Sequence, residues 1–196
     1  MRCMAAIVSI NLSPGGIPKV PTASASVTVD GLLGDGHDHA KHRVSEQAIS
    51  LLDVELLRAA AADHGLDLEP GSLGENLTVS GLGVQRLGEG DRLRVRNDDR
   101  GVPEVVLEIT RVRPPCYVLD ALSPDLKRTM WNRIGMYARV VVPGTIREGD
   151  AVEIQLVDEP IARPLLRDPK EPGIDGRPRA EAVLRDARLL PIGETG

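Results

Sequence analysis

The sequence predicts a mostly-β fold, a sheet or barrel of short strands carrying one main helix. Three observations lead there. Short runs of β-branched and aliphatic residues recur, Gly, Pro and Asp punctuate them, and one segment alone shows sustained helical spacing. With no Phe, one Trp and two Tyr, the core of such a fold must be aliphatic. A chain of 196 residues is long enough for a single domain with a sizeable core.

In chain order, strands are expected at 5–12 and 26–33, the latter alternating Val27 and Val29 with polar neighbours. The main helix follows, with Leu51, Leu52, Val54, Leu56 and Leu57 leading into Arg58-Ala59-Ala60-Ala61-Ala62. Ser50 or Asp53 is placed to cap its start and Gly65 to stop it. Further strands are read at 77–80, 92–96, 105–112, 137–142 and 151–156. Gly88-Glu89-Gly90-Asp91 and Arg147-Glu148-Gly149-Asp150 are similar turns, each launching an alternating strand, and 97–101 reads as a hairpin loop. A shorter helix is expected from Ser123, with Pro124 at its first position, to about Trp131. Residues 1–157 thus form the domain. Six prolines in 158–196 mark an extended tail, in which 179–190 could form a short amphipathic helix and 183–190 support a homodimer.

Composition narrows the function classes. The net charge of −5 gives no global attraction to nucleic acid or to anionic membranes, and the scarcity of aromatic residues removes base-stacking platforms. No apolar run approaches the roughly 18 residues that span a bilayer. The N-terminus turns polar at Ser9 and Asn11, too soon for a secretory signal, so a soluble, cytoplasmic protein is expected. Two cysteines, Cys3 and Cys116, do not make a disulfide framework.

Four segments could carry chemistry. In Gly34-Asp35-Gly36-His37-Asp38-His39-Ala40-Lys41-His42-Arg43, glycines allow close approach to a ligand. The histidines then read as a metal site (His37, His39, His42), as an anion pocket with Arg43, or as a solvated loop. Gly74-Glu75-Asn76-Leu77 is either a turn that launches a strand or a polar wall, with Glu75 orienting a histidine or arginine and Asn76 contacting a ligand. In Arg111-Val112-Arg113-Pro114-Pro115-Cys116 a strand ends and the prolines fix the backbone. Arg111 and Arg113 fall on one strand face by the alternation rule. Cys116 there is a nucleophilic or sulfur-carrying thiolate near cations, or an inert residue at a barrel rim. Finally, Tyr137 and Arg139 fall on one face of a strand, where Arg139 could meet an anion or simply be solvated.

In this order, these segments resemble the MOSC domain, named for the C-terminal domain of molybdenum-cofactor sulfurases. The residues carrying the resemblance are Gly34-Asp35-Gly36-His37, His42-Arg43, Ile49-Ser50-Leu51-Leu52, Gly74-Glu75-Asn76-Leu77, Gly90-Asp91, Arg113-Pro114-Pro115-Cys116 and Gly135-Met136-Tyr137-Ala138-Arg139. The likeness runs from about residue 5 to 156 and is greatest to the small stand-alone bacterial members. The resemblance implies a barrel-like fold that binds the molybdenum cofactor (molybdopterin) and carries sulfur as a persulfide on Cys116. It further implies cofactor contacts from Asp35, His37, His42, Arg43, Glu75, Asn76, Arg113, Tyr137 and Arg139. Partners would be a cysteine desulfurase, which alone would hold pyridoxal phosphate, or molybdopterin-handling proteins. A sulfurtransferase-like enzyme, a non-catalytic delivery module and a His-rich metal enzyme remain the competing functions.

Overall fold

The computed structural model describes residues 5–36, 44–96 and 104–157. Seven strands close into a barrel. In chain order they are β1 (Ala6–Leu12), β5 (Ile49–Asp53), β6 (Leu77–Ser80), β7 (Arg92–Arg96), β8 (Val105–Val112), β9 (Met136–Val142) and β11 (Ala151–Gln155). Around the barrel they run β1-β6-β5-β9-β8-β7-β11, and β11 returns to β1 through Ala6 opposite Ala151. Closure removes most of the exposed sheet edge. A short β2 (Val20–Thr22) extends the far half of β1. β3 (Ser24–Thr28), β4 (Gly31–Leu32) and β10 (Gly144–Arg147) make a small second sheet, ordered β10-β3-β4.

The barrel interior is aliphatic, as the composition requires: Ile7, Ile10, Leu51, Val79, Leu93, Leu107 and Ile109 are all essentially inaccessible. A second apolar cluster lies outside the barrel wall. There Leu52 meets Leu56, Leu57 and Ala60 of α1 (Val54–His64), together with Leu73, Leu119, Leu126, Met130 and Ile134. α1 is the crossover that lets β5 and β6 lie parallel, while the other pairings are antiparallel. It ends at Gly65 in the left-handed conformation, with Leu66 N bonded to Ala61 O, as the glycine predicted.

Three expectations are corrected. Residues 49–53 are a strand and not the first turn of the helix. Leu51 faces the barrel interior and Leu52 the outer cluster, so both faces are buried and the apolar run loses its alternation. Ser50 therefore caps nothing, and Asp53, though at the cap position, makes no bond to the helix. Its carboxylate accepts from Gly83 N at 3.0 Å and Val84 N at 2.7 Å. The single strand expected at 26–33 is a hairpin, β3 turning at Val29-Asp30 into β4. The second helix is shorter than expected: α2 spans Leu126–Thr129 and follows a 3-10 turn at Tyr117–Ala121.

The paired Gly-Asp turns share one mechanism. Asp91 accepts from Gly88 N at 2.7 Å and Asp150 from Arg147 N at 2.8 Å, each carboxylate closing the turn before its strand. Residues 97–101 and the whole tail from 158, with its expected helix, lie outside the described residues. Among the described residues no helix is long and apolar enough to cross a membrane.

Candidate functional site

Strand register gathers one rim of the barrel. Leu51 pairs with both Leu77 and Met136, so the residues just before β6 and β9, Asn76 and Gly135, arrive beside the middle of β5. Arg113 leaves the end of β8 with its N–H bonded to Gly135 O at 3.0 Å, and Asn11 N at the end of β1 bonds Asn76 O at 2.7 Å. The segments singled out around 35, 75, 113 and 137 thus come to one end of the fold.

Asp35 is the hub. Its Oδ1 accepts from Ser13 N at 3.0 Å, and its Oδ2 accepts from Asn76 Nδ2 at 2.8 Å and from the Lys19 ammonium. The Asn76 Oδ1 accepts from Ser50 N at 3.1 Å and Ser50 Oγ at 2.9 Å. These bonds run to Ser50 on the neighbouring strand and to Asp35 rather than to the turn of Asn76 itself, and one of its amide hydrogens is left over.

Glu75 is fully buried. Its Oε1 accepts from Gly71 N and Thr78 Oγ1, both at 2.8 Å. Thr78 is reached by Asn11 Nδ2 at 3.1 Å, and Asn11 by Ser9 Oγ at 2.7 Å, a buried polar chain leading to the carboxylate. Oε2 has no partner among the described residues. Arg113 is 8% exposed. Its Nη2 donates to Leu73 O at 2.6 Å, while Nη1 has no partner among the described residues. Arg111 and Arg113 do not share an environment. Arg113 lies past the end of β8, whereas exposed Arg111 stacks 5.6 Å from the centroid of the Tyr137 ring.

Tyr137 sits opposite Ser50 in register, on the barrel's outer face beside this network. Arg139, two residues on, is drawn elsewhere. Its Nη2 donates to Glu108 Oε1 at 2.5 Å, and Arg92 Nε donates to Glu108 Oε2 at 2.9 Å, a three-charge bridge across β7, β8 and β9. Cys116 is a free, exposed thiol just ahead of the 3-10 turn. His37, His39, His42 and Arg43 lie outside the described residues. A cavity of about 430 Å³, lined by Asp30, Leu32, Leu33, Asp35, Val44 and Ser45, opens between the two ends of that segment. Among the described residues no group of three His, Cys, Asp or Glu side chains is placed to hold a metal.

The residue that sequence reasoning missed is Lys19. It follows Pro14-Gly15-Gly16-Ile17-Pro18, which reads as an ordinary loop, and its side chain is 11% exposed. Burial lowers its ammonium below the ordinary lysine value, and the bond and charge of Asp35 restore part of the loss. Arg113 disfavours its charge and Glu75 favours it, which puts four ionisable groups in one corner.

A family model described as the MOSC domain matches residues 38–153. Among solved structures, the YuaD protein from Bacillus subtilis is similar at 21% identity and a TM-score of 0.64, covering 79% of this chain and 97% of that one. YiiM from Escherichia coli is similar at 22% identity and a TM-score of 0.61, covering 80% and 73%. YiiM from Geobacillus stearothermophilus gives 24% and 0.60, covering 77% and 75%. Among curated proteins, none matches the chain. At these identities the solved structures establish the likeness of fold.

Proposed function

The chain belongs to the MOSC domain family, which is associated with molybdenum-cofactor binding, and on that premise we propose that it binds molybdopterin at this rim and carries sulfur on Cys116. The observation that carries the reading is the pairing of a buried, half-used guanidinium at Arg113 with an exposed free thiol three residues later.

The residues present fit such a group. Arg113 Nη1 is a buried donor awaiting an acceptor, which the phosphate of a pterin cofactor offers, and Glu75 Oε2 is a buried acceptor awaiting a donor. Asn76 has one amide hydrogen to spare, and Tyr137 lies on the other side of Ser50 in the same row of the sheet. Asp35 holds Asn76 and the 13–19 loop in place. His37, His42 and Arg43, which follow Asp35 in the chain, would complete the pocket, and Arg139 would join by leaving Glu108. When bound, the cofactor supplies a redox-active metal centre. The protein's part is to bind, orient and charge-match it.

Sulfur loading needs only the thiol and a donor. The Cys116 thiolate attacks the terminal sulfur of a persulfide on a cysteine desulfurase. A new S–S bond forms at Cys116 as the donor's S–S bond breaks, and the donor leaves as a thiolate. One thiolate is exchanged for another, with no net oxidation. The fixed Pro114-Pro115 backbone and the exposure of Cys116 make the sulfur reachable by a partner.

Intact-mass spectrometry after incubation with a cysteine desulfurase and cysteine tests this reading. A gain of one sulfur atom on the wild type and none on Cys116→Ser supports it, and no gain on either overturns sulfur carriage. In that event the binding-only reading takes over, a delivery module favoured by the fact that the Asp35, Asn76, Glu75 and Arg113 cluster is assembled without Cys116.

A further inference from the structure

We propose that Lys19, Glu75 and Arg113 form a site for a proton-bearing oxyanion, a hydrogen phosphate or the singly protonated phosphate of a monoester, and that Glu75 makes the site reject oxyanions that lack a proton. This rests on the phosphate-binding part of the reading above, and adds to it a residue and a selectivity.

Two buried polar atoms of opposite sense stand without partners among the described residues: Arg113 Nη1, a donor, and Glu75 Oε2, an acceptor. The same short loop engages the other half of each group. Arg113 Nη2 donates to Leu73 O at 2.6 Å, and Gly71 N donates to Glu75 Oε1 at 2.8 Å. Between them Gly74, at φ +82, brings bare backbone against the guanidinium. A Cβ there would stand 3.2 Å from Arg113 Nη2 and collide with Ile17. Lys19 completes the corner. Its backbone N–H donates to Gly71 O at 3.0 Å, in the same loop whose Gly71 N holds Glu75, and Asp35 occupies one of its three ammonium donors.

Two buried cations with donors to spare can both donate to one anion. A carboxylate with a bare oxygen in the same corner requires a donor. One ligand meets both needs. A phosphate carrying a single proton accepts from Lys19 and Arg113 through two oxygens and donates its P–OH to Glu75 Oε2. Sulfate matches hydrogen phosphate in charge at neutral pH but has no proton, so it would set a lone pair against the carboxylate. A buried polar group left unmatched in this way costs enough to give about tenfold discrimination or more.

The test is calorimetric titration of the phosphate-free full-length chain at neutral pH with inorganic phosphate, arsenate, sulfate and selenate. Phosphate and arsenate, which each keep a proton, are expected to bind about tenfold or more tighter than sulfate and selenate. Glu75→Gln keeps an oxygen for Gly71 and Thr78 and turns the other arm into a donor, so it should bring sulfate up to phosphate. Lys19→Met should weaken both. Equal affinities for the four anions on the wild-type chain, or no binding of any, would overturn the proposal, and that series needs no variant to fold. Selectivity without a sulfur gain on Cys116 sinks sulfur carriage alone, and a sulfur gain without selectivity sinks this site alone.

Discussion

Asp53 should tie stability to pH, in the direction opposite to that of a typical carboxylate. It is 3% exposed at the end of β5, and burial pushes its carboxyl up from 3.8 to about 7, with its bonds from Val84 N and Gly83 N pulling partly back. Because the folded value exceeds the unfolded one, the native state binds the proton more tightly. The contribution to stability is therefore fully present below about pH 4 and is lost as pH rises towards 7, beyond which it stays flat. A shift of roughly three units at 1.36 kcal/mol each corresponds to about 4 kcal/mol across the whole window. On the order of 3 kcal/mol of this falls between pH 5 and 8. Asp53→Asn is the control. It keeps one acceptor for the Gly83-Val84 turn, costs about 1–3 kcal/mol for the weakened bond, and removes the titration. Urea unfolding of both proteins at half-unit pH steps, taken as the wild-type minus variant difference, cancels the other titrating groups. A difference that stays level from pH 5 to 8 would refute the reasoning.

Other perturbations act on the rim. Gly135→Ala should lower Tm by many degrees, because Gly135 has φ +97 and a Cβ there would land on the Leu51 carbonyl oxygen. Differential scanning calorimetry reads it. Asn76→Asp sets a second carboxylate against Asp35 and removes the donor at 2.8 Å, so it should destabilise by about 2 kcal/mol or more at pH 7 and recover towards pH 4, seen in denaturant midpoints at the two pH values. Cys116→Ser should change Tm by less than about a degree, since the thiol is exposed and its loss disturbs no core packing. A large drop would show that the cysteine is structural.

What was legible in the sequence follows from where the chain is half-buried. The strands at Leu77–Ser80, Arg92–Arg96 and Val105–Val112 were readable because turn residues bracket each, with alternation in β7 the plainest. β5 was not, because a strand buried on both faces offers a continuous apolar run that a helix start also offers. β2 and β10 are three and four residues long and owe their existence to the strands beside them, which local composition does not encode. At the site, Glu75, Asn76 and Arg113 were visible as polar residues in glycine and proline contexts. Lys19 was not, since its significance comes from burial against Asp35 across a loop closure. Arg139 shows the converse. Its charge was plain in the sequence, but its partner Glu108 is set by the β8–β9 register.

The 113–116 segment connects a buried polar cluster along the chain to a thiol on the surface. Arg113 is fixed twice, by its backbone N–H to Gly135 O and by its guanidinium to Leu73 O, so it joins the start of β9 to the loop that carries Glu75 and Asn76. From that anchor two prolines leave little torsional freedom before Cys116, and Leu119 N bonding Cys116 O at 3.2 Å begins the next turn. Cys116 is thereby tethered to the cluster by a short, stiff path while its sulfur stays open to solvent. A buried inert cysteine would need none of this restraint. A sulfur that must be loaded from outside, as proposed above, needs the exposure. The exposure of Cys116 speaks against a packing role and is what the proposed carriage requires.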